Sequence, residues 1–499
     1  MKKEKLSKSL WPVILGSLLY IGQINTTMAA ETNDAANLQE PWTNLAAQYP
    51  NAYFNMADGA SLSPQTLAEW WKVFDDPVLT QLITMTLEDN RDLKAAQSRV
   101  NQARAQLGIS KAKLLPWLDG SGSWTRTQIS DNAPYKLMSG IHNDGKLGID
   151  ASWEIDVFGR QKANVRAAAN TLQAEHARLY STWTSLSAET AINYISLRTL
   201  QEKLAIAEMQ LNLQQQRKEL VESNYQAGLT AALPVQQTDY TMKQTEAQIP
   251  QLRTSIEETM NRLAILTGRT PGELEPLLME SHINPEVNAN IYFAIPAEAL
   301  QQRPDIQAAE RDLAAQLQRI KAAKAEMKPR ISLFGSIGLE SISTGSLFEA
   351  GSRGFSFGPT ISLPIFHAGE IKKNIQVQTE KEKECLAVYE KTVLEAVGET
   401  RNALTAGAQE HERKLSLQAG CKSAEDALNL ADNNYRSGIA EYSDVLDAQR
   451  NLYALQDDYA DSKGQELIDM VQLFKAMGGG WQPMQQLEKQ QSKAAAEKN

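Results

Sequence analysis

The most suggestive chemical arrangement in the chain is Gly354-Phe-Ser356-Phe-Gly358, a Gly-x-Ser-x-Gly pattern. In a hydrolase this pattern holds the serine on a sharp turn between a strand and a helix. Here Ser356 falls inside an alternating apolar run followed by Pro359, so it reads as a strand serine and not as a nucleophile. Five histidines, His142, His176, His282, His367 and His411, form no pair at metal-ligand spacing, and His176 sits between Leu172 and Leu179 as a packed or lining residue. Cys385 and Cys421 are 421 − 385 = 36 residues apart, about 54 Å along a single helix, beyond disulfide reach and too few for a zinc cluster. With no phosphate loop, dinucleotide fingerprint or triad, the reading is not an enzyme, and no cofactor or metal is expected. One charged segment remains, Tyr435-Arg-Ser-Gly-Ile-Ala-Glu-Tyr-Ser-Asp444-Val-Leu-Asp447-Ala-Gln-Arg450. Gly438 suits a left-handed helix end, and Ser443 is placed to cap the next helix where Asp444 favours its dipole. Asp447 and Arg450 are three apart, so they can pair on one helical face.

These residues must be positioned by elements that occur twice. Asn90-Arg-Asp-Leu to Pro116 returns as Arg303-Pro-Asp-Ile to Pro329 at an offset of 213, and Tyr225-Gln-Ala-Gly-Leu returns as Tyr435-Arg-Ser-Gly-Ile at 210. Two copies, 88–270 and 298–481, thus cover most of the chain, joined by the proline-rich segment 271–297. Each copy orders its elements as helix, two strands, very long helix, turn, helix. Strands are expected near 117–128, 145–157, 330–340 and 354–366. The second is the clearest: Leu147, Ile149, Ala151, Trp153, Ile155 and Val157 alternate with small or polar residues. From Gln161 to about Tyr225 there is neither proline nor glycine, and Val165, Leu172, Leu179, Leu186, Leu200 and Ala207 fall on one seven-residue register, which predicts a supercoiled helix roughly 100 Å long. The helices near 88–113 and 235–267, stacked end to end, come to about 90 Å and match it.

Composition limits the class. Lys and Arg number 50 against 60 Asp and Glu, a net charge of −10, which argues against nucleic acid as a partner. Mean hydropathy is −0.40, and no long apolar run follows the first thirty residues, which excludes a multi-span helical membrane protein. A membrane barrel stays open, because its strands read only as alternation. Lys2, Lys3, Lys5 and Lys8 before the apolar run Leu10–Ile21, with Ala29 and Ala30 after it, predict an exported chain with a signal peptide over 1–30. Residues 31–87 are expected to form an N-terminal periplasmic segment, and the polar, lysine-rich 482–499 a disordered tail. Four strands cannot close in lipid, where barrels begin at eight, so copies must associate. Two chains fill the lumen with side chains, whereas three give a twelve-stranded barrel with room for a passage.

Particular words in the chain resemble the TolC-like outer membrane factors, especially the OprM and NodT branch. They are Trp70-Trp-Lys-Val-Phe-Asp-Asp-Pro-Val-Leu, Trp153-Glu-Ile-Asp-Val-Phe-Gly-Arg, Arg303-Pro-Asp-Ile-Gln-Ala-Ala-Glu, Leu363-Pro-Ile-Phe-His-Ala-Gly and Ala476-Met-Gly-Gly-Gly-Trp, in order from about 68 to 481. The resemblance implies an α+β membrane protein in the outer membrane of a Gram-negative bacterium. Three chains would share a twelve-stranded transmembrane β-barrel that continues into an antiparallel α-helical coiled-coil tunnel. Its implied partners are two further copies in a homotrimer, outer-membrane lipid, a periplasmic adaptor protein and an inner-membrane efflux transporter. Its implied role is the passive duct of a tripartite drug-efflux pump. Alternatives are a duct for polypeptide secretion and a non-channel periplasmic coiled-coil scaffold. Many relatives carry a lipidated cysteine near the N-terminus; none precedes Cys385 here, so a lipid anchor is not carried over. The resemblance further implies that Asp444 and Asp447 line the inner constriction while Arg450 and Tyr435 hold neighbouring helices closed. Three copies would make acidic rings that favour cations. The first copy carries Pro234 and Gln237 at the matching places, so the gate belongs to the second, and Ala440 stands where relatives place another gate arginine.

Overall fold

The computed structural model describes residues 67–130, 140–279, 284 and 302–481. The expected signal peptide, the tail, His282 and most of 31–87 and 271–297 lie outside the described residues. The described chain runs through α1 (Pro77–Asp89), α2 (Arg91–Ala112), β1 (Trp117–Ile129), β2 (Gly140–Ile155), α3 (Arg160–Gln226), α4 (Ala232–Leu266), the short α5 (Glu275–Leu278), α6 (Pro304–Ala325), β3 (Arg330–Ser341), β4 (Arg353–Ser362), α7 (Glu370–Arg436) and α8 (Tyr442–Ala476).

The long helices of the two copies agree in length residue for residue. Both α3 and α7 have 67 residues, both α4 and α8 have 35, and both α2 and α6 have 22. Their starts differ by 370 − 160 = 210, 442 − 232 = 210 and 304 − 91 = 213, the offsets of the sequence repeat. The heptad positions Val165, Leu179, Leu186 and Ala207 are buried on α3, which packs against α2, α4, α6 and α8. Buried seams at this spacing are what hold helices of this length side by side.

Trp70, Trp71 and Phe74 form a 3-10 turn that anchors the largest apolar cluster, with Ile83, Tyr194, Ile195, Leu197, Leu263 and Phe474. The Trp70 ring stacks on Phe474 at 5.5 Å and 18°. Asp76 caps α1 through Val78 N (2.8 Å) and Leu79 N (2.9 Å), and its second oxygen accepts from the Tyr194 hydroxyl at 2.6 Å. Burial, reinforced by that carboxylate, pushes the Tyr194 phenol well above its usual range.

A fastening repeats in each copy. Asn90 Nδ2 donates to the Leu266 carbonyl at 2.8 Å, and Arg303 Nη1 donates to the Ala476 carbonyl at 2.8 Å. Each thus closes the last turn of its copy's 35-residue helix, where helix carbonyls lack intrahelical partners. Arg303 also reaches Asp305 Oδ2 (2.7 Å) and Glu399 Oε2 (2.8 Å). Gly268 and Gly478, with φ of 72° and 69°, end those helices, and a side chain at Gly268 would meet the Asp89 carbonyl oxygen at 2.6 Å.

The four strands form one antiparallel sheet in the order β1-β2-β3-β4. Its edges depart from the sequence reading. β2 begins at Gly140, five residues before the expected 145, because its pairing with β1 continues to Ile129↔Gly140, and it ends at Ile155, not 157, where Asp156 turns to cap α3. β4 stops at Ser362, not 366, since Pro364 offers no N–H to a ladder.

Candidate functional site

Two features of the chain bear on function: the sheet and the reversal between α7 and α8. Register places residues that pair directly across strands on the same face. One face carries Leu118, Leu147, Ile149, Trp153, Ile331, Leu333, Ile337, Leu339, Phe355, Phe357 and Ile361. The other carries mostly small or polar residues, among them Asp119, Ser121, Lys146, Asp150, Glu154, Ser332, Ser336, Glu340, Ser356 and Thr360. The apolar face is bare: Phe355 is 78% and Phe357 79% exposed. Trp124 lies over Gly145, which it pairs with across β1 and β2. Both edge strands, β1 and β4, have one side without a strand partner within the sheet.

The corner from β2 into α3 is fixed by charge. Arg160 grips Glu154 with Nη2 at 2.9 and 2.6 Å, and the Asp156 carboxylate accepts from Gln161 N (3.0 Å) and Lys162 N (2.7 Å). Gly159, at φ 76°, makes the bend between them. The Trp153–Arg160 segment is therefore a strand-to-helix joint whose acids hold the helix N-terminus.

At the opposite end of the long helices, Gly228 and Gly438 close α3 and α7 in left-handed conformation, at φ of 72° and 71°. The two reversals meet there. Thr238 Oγ1 donates to the Tyr442 hydroxyl at 3.1 Å, and Val221 packs with Tyr442, Val445 and Leu446. Arg217 donates to Gln449 Oε1 at 3.2 Å and lies 4.0 Å from Asp432, which also holds Arg436 at 2.8 Å. Burial raises the Tyr442 and Tyr453 phenols. No local signal pointed to Arg217 or Thr238, because their partners are 449 − 217 = 232 and 442 − 238 = 204 residues away.

The four residues singled out from sequence for the constriction, Tyr435, Asp444, Asp447 and Arg450, all lie at this reversal. Asp444 is spoken for locally: its carboxylate accepts from Glu441 N at 3.3 Å while the Glu441 side chain accepts from the Asp444 backbone, a reciprocal capping box. The cap of α8 is thus Glu441, not Ser443, whose hydroxyl instead donates to Glu441 Oε2 at 3.4 Å. Arg450 Nη1 is 3.5 Å from Asp447 Oδ1 on the same helical face. Tyr435 packs its ring on Tyr442 at 5.2 Å. Within one chain, Asp444, Asp447 and Arg450 are exposed on the side of α8 opposite the buried Val445, Leu446 and Gln449.

Ser356 lies mid-strand opposite Ser336, far from any strand-to-helix turn. His411 Nδ1 sits 2.7 Å from Glu466, which Lys414 also holds at 2.5 Å. Cys385 and Cys421 are both on α7, and burial raises both thiols. Among the described residues no set of His, Cys, Asp and Glu converges as a metal site.

An open amphipathic sheet continuing into paired helices of this length defines a subunit of an outer-membrane channel. The sequence profile of the outer membrane efflux protein family matches twice, over residues 82–269 and 295–479, and the chain belongs to that family. It is 33% identical over 450 residues to the solvent efflux pump outer membrane protein SrpC of Pseudomonas putida, covering 89% of this chain and 94% of that one. To the outer membrane protein OprJ of Pseudomonas aeruginosa it is 30% identical over 458 residues, covering 90% and 91%. Among solved structures it is similar to the outer-membrane channel OprN, with a TM-score of 0.78 and 32% identity over 83% of this chain and 93% of that one. It is also similar to the Campylobacter jejuni CmeC channel, with a TM-score of 0.79 and 27% identity over 86% and 92%. The protein is an outer-membrane efflux component.

Proposed function

We propose that three copies of this chain close one twelve-stranded barrel in the outer membrane and continue it as a helical tunnel through the periplasm. The duct is passive and serves a tripartite pump, taking small hydrophobic and drug-like molecules handed over by an adaptor and an inner-membrane transporter. The two-faced sheet with unpaired edges carries this reading. Lipid tolerates no open edge, and the apolar face has no other solvent to suit it. Each copy of the repeat, 88–270 and 298–481, supplies half of a chain's share of both barrel and tunnel. The names of the similar proteins, which include solvent, toluene and antibiotic efflux pumps, favour this reading over polypeptide secretion.

The inner constriction is formed by Asp444 and Asp447 of each chain, with Arg450 and Tyr435 bracing the reversal. Their support is exposure: the α8 face bearing the two acids is not used by the chain's own core. Three acidic faces around one axis attract cations and repel one another when unscreened. Asp447→Ala removes one acidic ring and frees Arg450, so single-channel conductance in a planar bilayer is expected to rise. Unchanged conductance in a normally assembled protein would remove Asp447 from the gate, and a chain that stays soluble in periplasmic extract would end the barrel reading.

A further inference from the structure

The polar face of the sheet carries two aromatic residues, and register brings them into one row. Trp117 pairs with Ser152, Ser152 with Phe334, and Phe334 with Gly358. Two large rings therefore stand on the polar face, two strands or roughly 10 Å apart, with only a serine between them and a glycine beyond. Neither ring is packed away: Trp117 is 58% and Phe334 42% exposed. The row sits at the sheet's helix end, since Trp117 opens β1 directly after α2 and Pro116.

The rows on either side carry charge. Toward the strand tips, Asp119 and Asp150 pair directly with each other, and Ser121 Oγ donates to Asp150 Oδ2 at 2.9 Å. Toward the helices stands Glu154, already held by Arg160. The nearest lysine of the face, Lys146, lies two rows beyond the Asp119 and Asp150 row and is engaged by Asp144 at 3.2 Å and Glu340 at 3.0 Å. Of the charges on this face not held in an ion pair, the nearest to the two rings are thus the Asp119 and Asp150 carboxylates, one row away, while the exposed Arg330 stands two rows off on the helix side. Two aromatic faces flanking a slot floored by a small residue, with carboxylates one row away, suit a ligand that is flat or greasy and positively charged.

We propose that Trp117 and Phe334, with Asp119 and Asp150, form a transient binding site for organic cations bearing an aromatic or other apolar group, on the inner wall of the duct where tunnel meets barrel. The site rests on the proposed function, which makes the polar face the lumen. Each chain brings the same pair to the ring, so a cargo leaving the tunnel meets a band of aromatic and acidic side chains before the serine- and glycine-rich wall beyond.

The full chain reconstituted in planar bilayers tests this with three added ions: benzyltrimethylammonium, tetramethylammonium and benzenesulfonate. Benzyltrimethylammonium is expected to produce current blockades longer than those of tetramethylammonium, and benzenesulfonate none. The dwell time should fall roughly three- to tenfold in Trp117→Ser or Phe334→Ser. It should fall in Asp150→Asn as well, and should be retained in Trp117→Phe and Phe334→Tyr, which keep the rings. Normal channel current in each variant reports assembly. Dwell times insensitive to both serine variants, or equal blockade by benzenesulfonate, would overturn the site while leaving the duct intact. Absence of any channel current from the unaltered protein would overturn the duct itself, and the site with it.

Discussion

Replacing Arg303 with Met preserves most of the side chain's volume and removes its charge, which isolates what the guanidinium does. Arg303 is buried, and its Nη1 donates to the Ala476 carbonyl at 2.8 Å, a carbonyl that the Thr400 hydroxyl reaches only at 3.5 Å. Its Nη2 holds Asp305 at 2.7 Å and Glu399 at 2.8 Å, and its Nε reaches Asp305 Oδ1 at 3.1 Å. Glu399 is 58% exposed, so water replaces much of what that pair loses. The larger losses are the bond to the carbonyl that ends α8 and the pairing of Asp305, together about 2–3 kcal/mol. Because the damage falls on one joint, it should appear as local opening. Hydrogen exchange in the last turn of α8 and through Gly478 should quicken on the order of 50-fold, with α4 unaffected, since RT is about 0.59 kcal/mol. Arg303→Asn, which copies the residue at position 90, should restore part of the protection through one amide donor. Unchanged exchange at the end of α8 in Arg303→Met, with unaltered assembly, would refute the idea that this residue fastens the second copy as Asn90 fastens the first.

Gly268→Ala and Gly228→Ala separate backbone strain from crowding. Both sites have φ of 72°, but only at Gly268 does a Cβ strike backbone, so denaturation should show a loss of about 1–2 kcal/mol for Gly228→Ala and a clearly larger one for Gly268→Ala. Tyr194→Phe strips one oxygen of Asp76 of its donor and should cost about 1–2 kcal/mol in the same assay, with α1 the first helix to lose exchange protection. Burial, assisted by Glu410 and Glu466, raises the Asp469 carboxyl against a hydrogen bond from Gln465 that lowers it. A carboxyl whose folded pKa lies above its unfolded one costs stability as pH rises through that window and beyond. Asp469→Asn is therefore expected to raise the unfolding midpoint at neutral pH and to lose that advantage below the ordinary carboxylate range; an equal advantage at both pH values would contradict this assignment.

Periodicity made much of the fold legible. The unbroken alternation from Leu147 to Ile155 announced β2, and the stretch free of proline and glycine from Gln161 to about Tyr225, with its seven-residue register, announced α3 to within a residue or two at each end. The offsets of 210 and 213 tied the second copy to the first. What stayed hidden depends on pairing across distance. Arg303 and Ala476 are 173 residues apart, and neither looks unusual alone. Glu441 caps α8 although glutamate is a weaker capping residue than the nearby Ser443, because the box needs Asp444 three positions on. The aromatic row was likewise invisible: Trp117 and Phe334 look like ordinary barrel residues until the register shows them on the same, otherwise polar, face.

The sheet's two free edges also have a genetic consequence. In the proposed assembly the barrel closes through edge-to-edge contacts, so it is as sound as its weakest seam, and every chain contributes to two seams. A substitution that spoils pairing at β1 or β4 would therefore act on its unaltered neighbours. In a cell making altered and unaltered chains equally, with random mixing in the proposed rings of three, only about one ring in eight would be free of the lesion. Edge lesions would behave as dominant traits, whereas a fault confined to the fastening at Arg303 would stay with the chain that carries it.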